Sequence, residues 1–407
     1  MTTAFFRPMV LVIFFIAMLF CTKVFCAADD AIRIGLSGPF TGGSAPMGES
    51  MRNGVRLAVE EINSIGGIHG RVIELIERDD QANNELGARI ADELTRLRVV
   101  ATIGVVNTGV GLASIDYYQK SKIPLMVAVS TGPALTRKFA PPASRGNFIF
   151  RVSPTLDLEA RIICADLKRR GLTRVALMTD VTPYGESGLQ AFSEQARLSG
   201  LDVVAQLRFK IGETDMSGLL QRAHTAGASA VVGWGIGPEL AQIARGMQAM
   251  NWRAPLLGSW TLSMRNFIDA AGASGEGALM PQTFIQDAGS TAKNSFLLAY
   301  RRSFKTDLIP SPMSAAQGYD GMHLLALAMR QAKKLDGDTL RKALESLEFR
   351  YQGVVTSYEK PFSAEDHDAI TANMMVIGRV TSGRVGYAYQ EDQQRGALLK
   401  IKQKGNQ

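Results

Sequence analysis

Two short stretches carry the residue types best suited to holding an anion. Gly104-Val105-Val106-Asn107-Thr108-Gly109 and Val129-Ser130-Thr131-Gly132-Pro133 each follow an apolar run and lead into an amphipathic one. Each puts hydroxyls and unpaired backbone N–H groups at a helix start, where the helix dipole favours negative charge. Either stretch alone reads better as a plain Ser/Thr cap. Two of them at neighbouring strand ends point to a carboxylate site. A third stretch, Ser37-Gly38-Pro39-Phe40-Thr41-Gly42-Gly43, divides evenly between a loop that approaches a ligand and an ordinary turn before a helix.

Aromatic residues stand at other strand ends, in Pro183-Tyr184-Gly185-Glu186, Trp234-Gly235-Ile236-Gly237 and Ser259-Trp260-Thr261. A core aromatic belongs inside a strand or on a helix stripe. Tyr184 and Trp260 are therefore read as stacking or lid residues, and Trp252 as packing under the strand that follows it. Signatures of catalysis are missing: no phosphate loop, no Gly-x-Ser-x-Gly elbow and no His-Glu-x-x-His. Gly235-Ile236-Gly237 starts like a dinucleotide fingerprint, but Leu240 stands where the third glycine belongs. His69, His224, His323 and His367 lack metal-ligand spacing. The expectation is a binding protein without cofactor or metal, not an enzyme.

The elements that must position these loops alternate regularly. Ile32, Ile34 and Leu36 alternate with Arg33 and Gly35 as in a strand, and Met51, Val55, Ala58 and Ile62 follow at helical spacing. Strands are expected at Val72–Ile76, Val99–Ile103 and Leu125–Val129, with helices around Leu86–Arg98 and Leu112–Lys120. A second series after Arg151 predicts helices at Leu156–Arg170, Glu186–Leu198, Met216–Thr225 and Leu240–Met250. Its strands fall at Val175–Met178, Val203–Leu207, Ala230–Val232 and Leu256–Leu257. Helical patterns return at Ser295–Phe304, Gly321–Lys333 and Thr339–Leu347, before an apolar strand at Met374–Ile377. This predicts an α/β fold of two Rossmann-like lobes with parallel sheets and a cleft between them. Ligands of open parallel sheets bind outside the carboxyl ends of the strands, where the loops above lie.

The N-terminus sets the compartment. Arg7 precedes an apolar run, Val10 to Phe20, and the first acid is Asp29. Residues 1–28 read as a secretory signal cleaved after Ala28, which predicts a periplasmic protein. The run is short for the alternative, a retained membrane anchor. Phe20 before Cys21 and Phe25 before Cys26 argue against a lipid-anchored start. Cleavage leaves Cys164 as the single thiol, expected to pack in the core. It also lowers the net charge from +7 to +5 by removing Arg7 and Lys23, with part of the excess in a basic tail, Arg395 to Lys404. No concentrated basic face with interleaved aromatics is present, so nucleic acid is not an expected partner. The tail reads as a solvated end.

Several stretches taken in order resemble the leucine/isoleucine/valine-binding family of periplasmic solute receptors. They are Gly38-Pro39 to Gly42, Asn53-Gly54 to Asn63, Gly66-Gly67-Ile68-His69-Gly70, Asp79-Asp80, Ile123-Pro124, Thr131-Gly132-Pro133, Tyr184-Gly185, Gly318-Tyr319-Asp320 and Glu365-Asp366-His367. The resemblance implies a type I periplasmic-binding fold with three hinge crossings, near 150, 284 and 368. Lobe 1 is then 29–149 and 284–367, lobe 2 is 150–283 and 368–390, and 391–407 is the tail. It implies capture by hinge closure, delivery to a membrane permease with ATPase subunits of an ABC importer of the branched-chain amino acid type, and a ligand-carboxylate contact from Thr108. Thr131 matches the family's second hydroxyl, Val129 its backbone contact, and Tyr184 its capping tyrosine. Met47 falls near the place of the family's first-loop aromatic.

One departure bears on the ligand. Amino-acid binders of this family carry an acid two residues after a glycine in the second lobe, and that position, after Gly258, is Trp260. An enclosed ammonium without an anion costs several kcal/mol. The expected ligand is therefore a carboxylate without an ammonium, with an aromatic or apolar body. Two alternatives are a branched-chain or other hydrophobic amino acid, with Glu239 supplying the charge, and a periplasmic sensor of the same fold.

Overall fold

The computed structural model describes residues 31–396 and 401–402. The expected signal segment and most of the tail lie outside the described residues. The chain begins β1 (Ile32–Gly38), α1 (Ala45–Ser64), β2 (Ile73–Asp79), α2 (Asn84–Arg96), β3 (Ala101–Gly104), α3 (Thr108–Ser121), β4 (Leu125–Val127), α4 (Ala134–Arg137) and β5 (Ile149–Arg151). These strands form one sheet in the order β2-β1-β3-β4-β5, parallel throughout, with Ile34 opposite Leu75 and Ser37 opposite Gly104. Parallel strands need crossover helices, so both faces are covered. Alternation along the strands divides the core: Ile34, Ile103 and Met126 pack on one side, and Leu125, Val127 and Ile149 on the other.

The chain continues α5 (Leu156–Arg169), β6 (Arg174–Asp180), α6 (Pro183–Ser199), β7 (Asp202–Phe209), α7 (Ser217–Thr225), β8 (Ala230–Trp234), α8 (Gly237–Ala249), β9 (Leu256–Gly258), α9 (Arg265–Ala271) and β10 (Leu279–Gln282). It then returns to the first sheet with α10 (Thr291–Phe304), α11 (Pro312–Gln331) and α12 (Gly337–Glu345), whose Phe296, Met322 and Leu340 share the core of Ile34 and Ile103. Gly54 and Gly318 let α1 and α11 touch backbone to backbone: a Cβ on Gly54 would sit 2.0 Å from the Ala315 carbonyl oxygen.

A small hairpin, β11 (Tyr351–Gln352) and β12 (Ser357–Tyr358), precedes β13 (Val376–Thr381), β14 (Arg384–Tyr387) and α13 (Gln390–Gly396). The second sheet has the order β14-β13-β10-β9-β8-β6-β7. It is not wholly parallel as expected, because β13 runs antiparallel to β10 and pairs with β14 as a hairpin. The β13–β14 hairpin has a local cause: Ser382 and Gly383 both take positive φ, as a two-residue hairpin turn demands. Cys164 is fully buried in the second core. No helix among the described residues is long and apolar enough to cross a membrane.

Arg151, at the end of β5, ties distant segments together. Its N–H donates to the His367 carbonyl, and its own carbonyl accepts from Ala369 N–H. Its fully buried guanidinium bonds Asp368 and the Gly132 carbonyl. Ile401 and Lys402, expected within a solvated end, instead lie on this region. The Lys402 ammonium donates to the Pro361 carbonyl at 2.8 Å and pairs with Asp366.

Candidate functional site

A cavity of about 580 Å³ opens where the carboxyl ends of the two sheets face each other. The first sheet contributes Ser44 and Met47 after β1, Asn83 and Glu85 after β2, Asn107 and Thr108 after β3, and Val129 and Thr131 after β4. The second contributes Tyr184 after β6, Ile211 after β7, Ile236 and Glu239 after β8, and Trp260 and Thr261 after β9. The seven residues singled out in the sequence, Met47, Thr108, Val129, Thr131, Tyr184, Ile236 and Trp260, all line it. Among the described lining residues there is no lysine or arginine.

The first-sheet wall is held by strained and tightly packed backbone. Val105 adopts φ 63°, a left-handed conformation costly for a β-branched residue. It is pinned by its N–H to the Ser37 carbonyl and by Ser130 N–H to its own carbonyl. The turn delivers Asn107 and Thr108 to the start of α3, where the first backbone N–H groups have no partner within the helix. Thr108 Oγ1 lies 3.0 Å from Ser130 Oγ, whereas Thr131 Oγ1 and Asn107 Oδ1 are buried without a partner. Gly132 fits because a Cβ there would meet Thr108 Cγ2 at 2.5 Å. The first loop is tethered from below: Asp79 accepts from Phe40 N–H at 2.8 Å and from the Thr41 hydroxyl at 2.7 Å. Asp80, beneath it, is pushed up to about 6 by burial.

The second-sheet wall is aromatic. Asp180 caps α6 by accepting from Thr182 N–H at 2.8 Å and Gly185 N–H at 3.2 Å, and this places Tyr184. The Tyr184 hydroxyl is buried without a partner, and burial beside Glu159 holds its ionisation well above the usual tyrosine range. Trp260 opens a 3₁₀ turn, Trp260–Ser263, and its carbonyl accepts from the Ser263 hydroxyl at 2.7 Å. Only 3% exposed, it lines the cavity while packing into the core shared with the first sheet. Tyr184 and Trp260 do not come from adjacent strands, since β8 lies between β6 and β9.

Two acids frame this wall. Glu239 lines the cavity and accepts from Gly212 N–H at 2.8 Å, at the start of its own helix. Glu159 on α5 lies beneath the floor, 0% exposed, and accepts from Trp260 N–H at 3.2 Å. Burial pushes its carboxyl up to about 8, so it is mostly neutral at pH 7. Sequence reasoning did not single out Glu159. The signal was present: residue 159 falls on the apolar stripe of Leu156, Ala160, Ile163 and Leu167, where an acid has no business unless it serves a site. Among the described residues, no group of three His, Cys, Asp or Glu could hold a metal.

Known proteins resemble this chain in sequence and fold. The family model described as "Periplasmic binding protein" matches residues 31–384. A Leu/Ile/Val-binding protein homolog from Brucella abortus is 28% identical over 292 residues, 69% of this chain and 76% of the relative. A type 1 periplasmic binding protein from Bordetella pertussis superposes with TM-score 0.80 at 28% identity, covering 88% of this chain and all of that one. A solute-binding protein of an ABC transporter from Rhodopseudomonas palustris, in complex with benzoate, shares the fold with TM-score 0.75 at 20% identity, covering 88% of this chain and 95% of that one. The chain belongs to the periplasmic binding protein family, and within it resembles the leucine/isoleucine/valine-binding proteins.

Proposed function

We propose that this chain is the exported solute receptor of an ABC importer of the branched-chain amino acid type, and that it captures a small carboxylate with an apolar or aromatic body. The observation that supports the ligand class is the split character of the cavity. The Thr108 and Thr131 hydroxyls and the start of α3 line one wall, and Tyr184, Ile236 and Trp260 line the other. The ligand's acid group would meet Thr108, Thr131 and the first N–H groups of α3, with Val129 and Met47 beside it. Its body would lie against Trp260 and Tyr184, where an aromatic face suits a flat ligand. In place of the family's ammonium-binding acid stands Trp260, over a glutamate that is mostly neutral at pH 7.

On this reading the lobes are 29–149 with 284–367 and 150–283 with 368–390. They close about crossings near 150, 284 and 368, and the closed form meets a permease and its ATPases. Residues 1–28 are removed on export, and no chemistry is done on the ligand. A sensor that presents the same liganded fold to a membrane kinase remains the alternative role, separated by whether permease and ATPase genes adjoin.

A second ligand reading has its own support. Glu239 lines the cavity, and an amino acid's ammonium placed against it would have a partner. Calorimetry with benzoate and with L-leucine separates the two. Benzoate binding with weak or absent leucine binding is expected, and tight leucine binding without benzoate restores the amino-acid reading.

A further inference from the structure

Three buried polar atoms at the cleft have unused hydrogen-bonding capacity: Thr131 Oγ1 and Tyr184 Oη on its lining, and Glu159 Oε1 beneath them. Thr131 is 2% exposed and Glu159 is 0% exposed. Their side chains lie side by side, short of a well-formed hydrogen bond. The other carboxyl oxygen of Glu159 is occupied by Trp260 N–H at 3.2 Å. An acid buried this way serves no packing purpose on the apolar stripe of α5.

We propose that Glu159 is a positioning residue that fixes the direction of the Thr131 hydroxyl, and thereby makes the cleft accept an anionic ligand group and refuse a competing acceptor-poor one. The reasoning is one of donors and acceptors. Oε2 must accept from Trp260 N–H, so a protonated Glu159 carries its proton on Oε1 and donates to Thr131 Oγ1. A hydroxyl that accepts from below turns its own hydrogen outward, toward the ligand. If Glu159 loses the proton to solvent, Thr131 donates downward to the carboxylate and offers the ligand only lone pairs. A ligand carboxylate then meets lone pairs and a buried negative charge. Raised to about 8 by burial, the carboxyl changes state within an accessible range. Tyr184 on α6 is the titratable group that faces Glu159, with Asp180 behind it, while the loops after β4 and β9 present only Thr131 and the Trp260 N–H. This proposal rests on the reading that the ligand's carboxylate sits at Thr131.

The test is calorimetry of benzoate binding from pH 6 to pH 9.5 with the wild-type protein and Glu159→Gln. Gln can keep its oxygen on Trp260 N–H and donate its amide to Thr131, so it imitates the neutral acid at every pH. Wild-type affinity is expected to be level below pH 8 and then to fall about tenfold per pH unit, as release of a single linked proton requires. Glu159→Gln is expected to bind with a profile level within about twofold. A level wild-type profile, or a falling Glu159→Gln profile, overturns this proposal and leaves the carboxylate reading standing. Absence of benzoate binding at every pH, with or without leucine binding, overturns both.

Discussion

Facing Thr108 and Thr131 across the cleft are Tyr184, Ile236 and Trp260, and the two sides hold their residues by different means. The first-sheet side uses backbone: a left-handed Val105, a glycine at 132 packed against Thr108, and loops tied down by Asp79 and Asp80. Two of its buried polar atoms, Thr131 Oγ1 and Asn107 Oδ1, are left without a well-formed hydrogen bond. The second-sheet side uses buried acids that accept from backbone N–H groups, Asp180 from Gly185 beside Tyr184 and Glu159 from Trp260. The contrast teaches that a polar recognition surface is made rigid through turns and close approach. An aromatic one is made rigid through burial, and its polar supports are then costly to keep.

The largest expected effect comes from removing the aromatic side. Trp260→Ala deletes a ring that is 3% exposed and shared with the core, so a loss of about 3–5 kcal/mol in stability is expected from truncation and cavity terms. Benzoate affinity should fall at least about 100-fold, with Trp260→Phe intermediate. Thermal melting and calorimetry check the two effects, and wild-type affinity in Trp260→Ala would end the idea that the rings form the ligand wall.

Next is the cost of the acid itself. The folded carboxyl of Glu159 sits near 8 against an ordinary 4.5, so folding disfavours its ionised form. Its contribution to stability is greatest below pH 4.5 and is lost progressively as pH rises to about 8. Glu159→Gln, which never ionises, should therefore exceed the wild type by on the order of 3 kcal/mol at pH 7, with the gap closing toward pH 4.5. Denaturant melts at pH 4.5 and 7 test this, and an equal or lower stability at pH 7 would mean that the carboxyl is not strained by burial.

On the polar side, Thr108→Val and Thr131→Val should each weaken benzoate binding by about 1.5–3 kcal/mol, the range for a hydrogen bond to a charged group. Their effects on folding should differ. Thr131 Oγ1 makes no well-formed hydrogen bond beyond its approach to Glu159, so its valine variant should lose less stability than Thr108→Val. Thr108 gives up its contact with Ser130, at about 1 kcal/mol. Equal stability losses in the two would contradict the picture of Thr131 as an uncommitted group. The smallest effect is expected for Gly132→Ala, whose Cβ displaces Thr108 by a fraction of an ångström and lowers affinity about tenfold or less, measured with the same probe.

Much of this was legible in the residues. Strand-end loops after β1, β3, β4, β6, β8 and β9 were located by alternation, because parallel strands buried on both faces read as apolar runs. Thr108, Thr131, Tyr184, Ile236 and Trp260 followed from the rule that ligands sit at carboxyl ends of strands, and Met47 and Val129 from the family resemblance. What escaped depends on long-range partners. β5 is three residues with Arg151 at its end, and only Asp368, far along the chain, explains why an arginine is fully buried there. The β13–β14 hairpin turns on φ angles at Ser382 and Gly383, which alternation does not reveal. Glu159 and Asp180 act on Trp260 and Tyr184 from positions that local pattern assigns to helix caps and dipoles.

Among the described residues, the cavity lining holds Glu85 and Glu239 and no basic side chain. Attraction for an anion must then come from N–H groups at helix starts, whose influence fades within a turn. Such a cleft casts no long electrostatic field into the solvent. Association with an anionic solute should accordingly proceed at an unsteered rate, nearly indifferent to ionic strength across the range where a lysine-lined cleft would slow markedly.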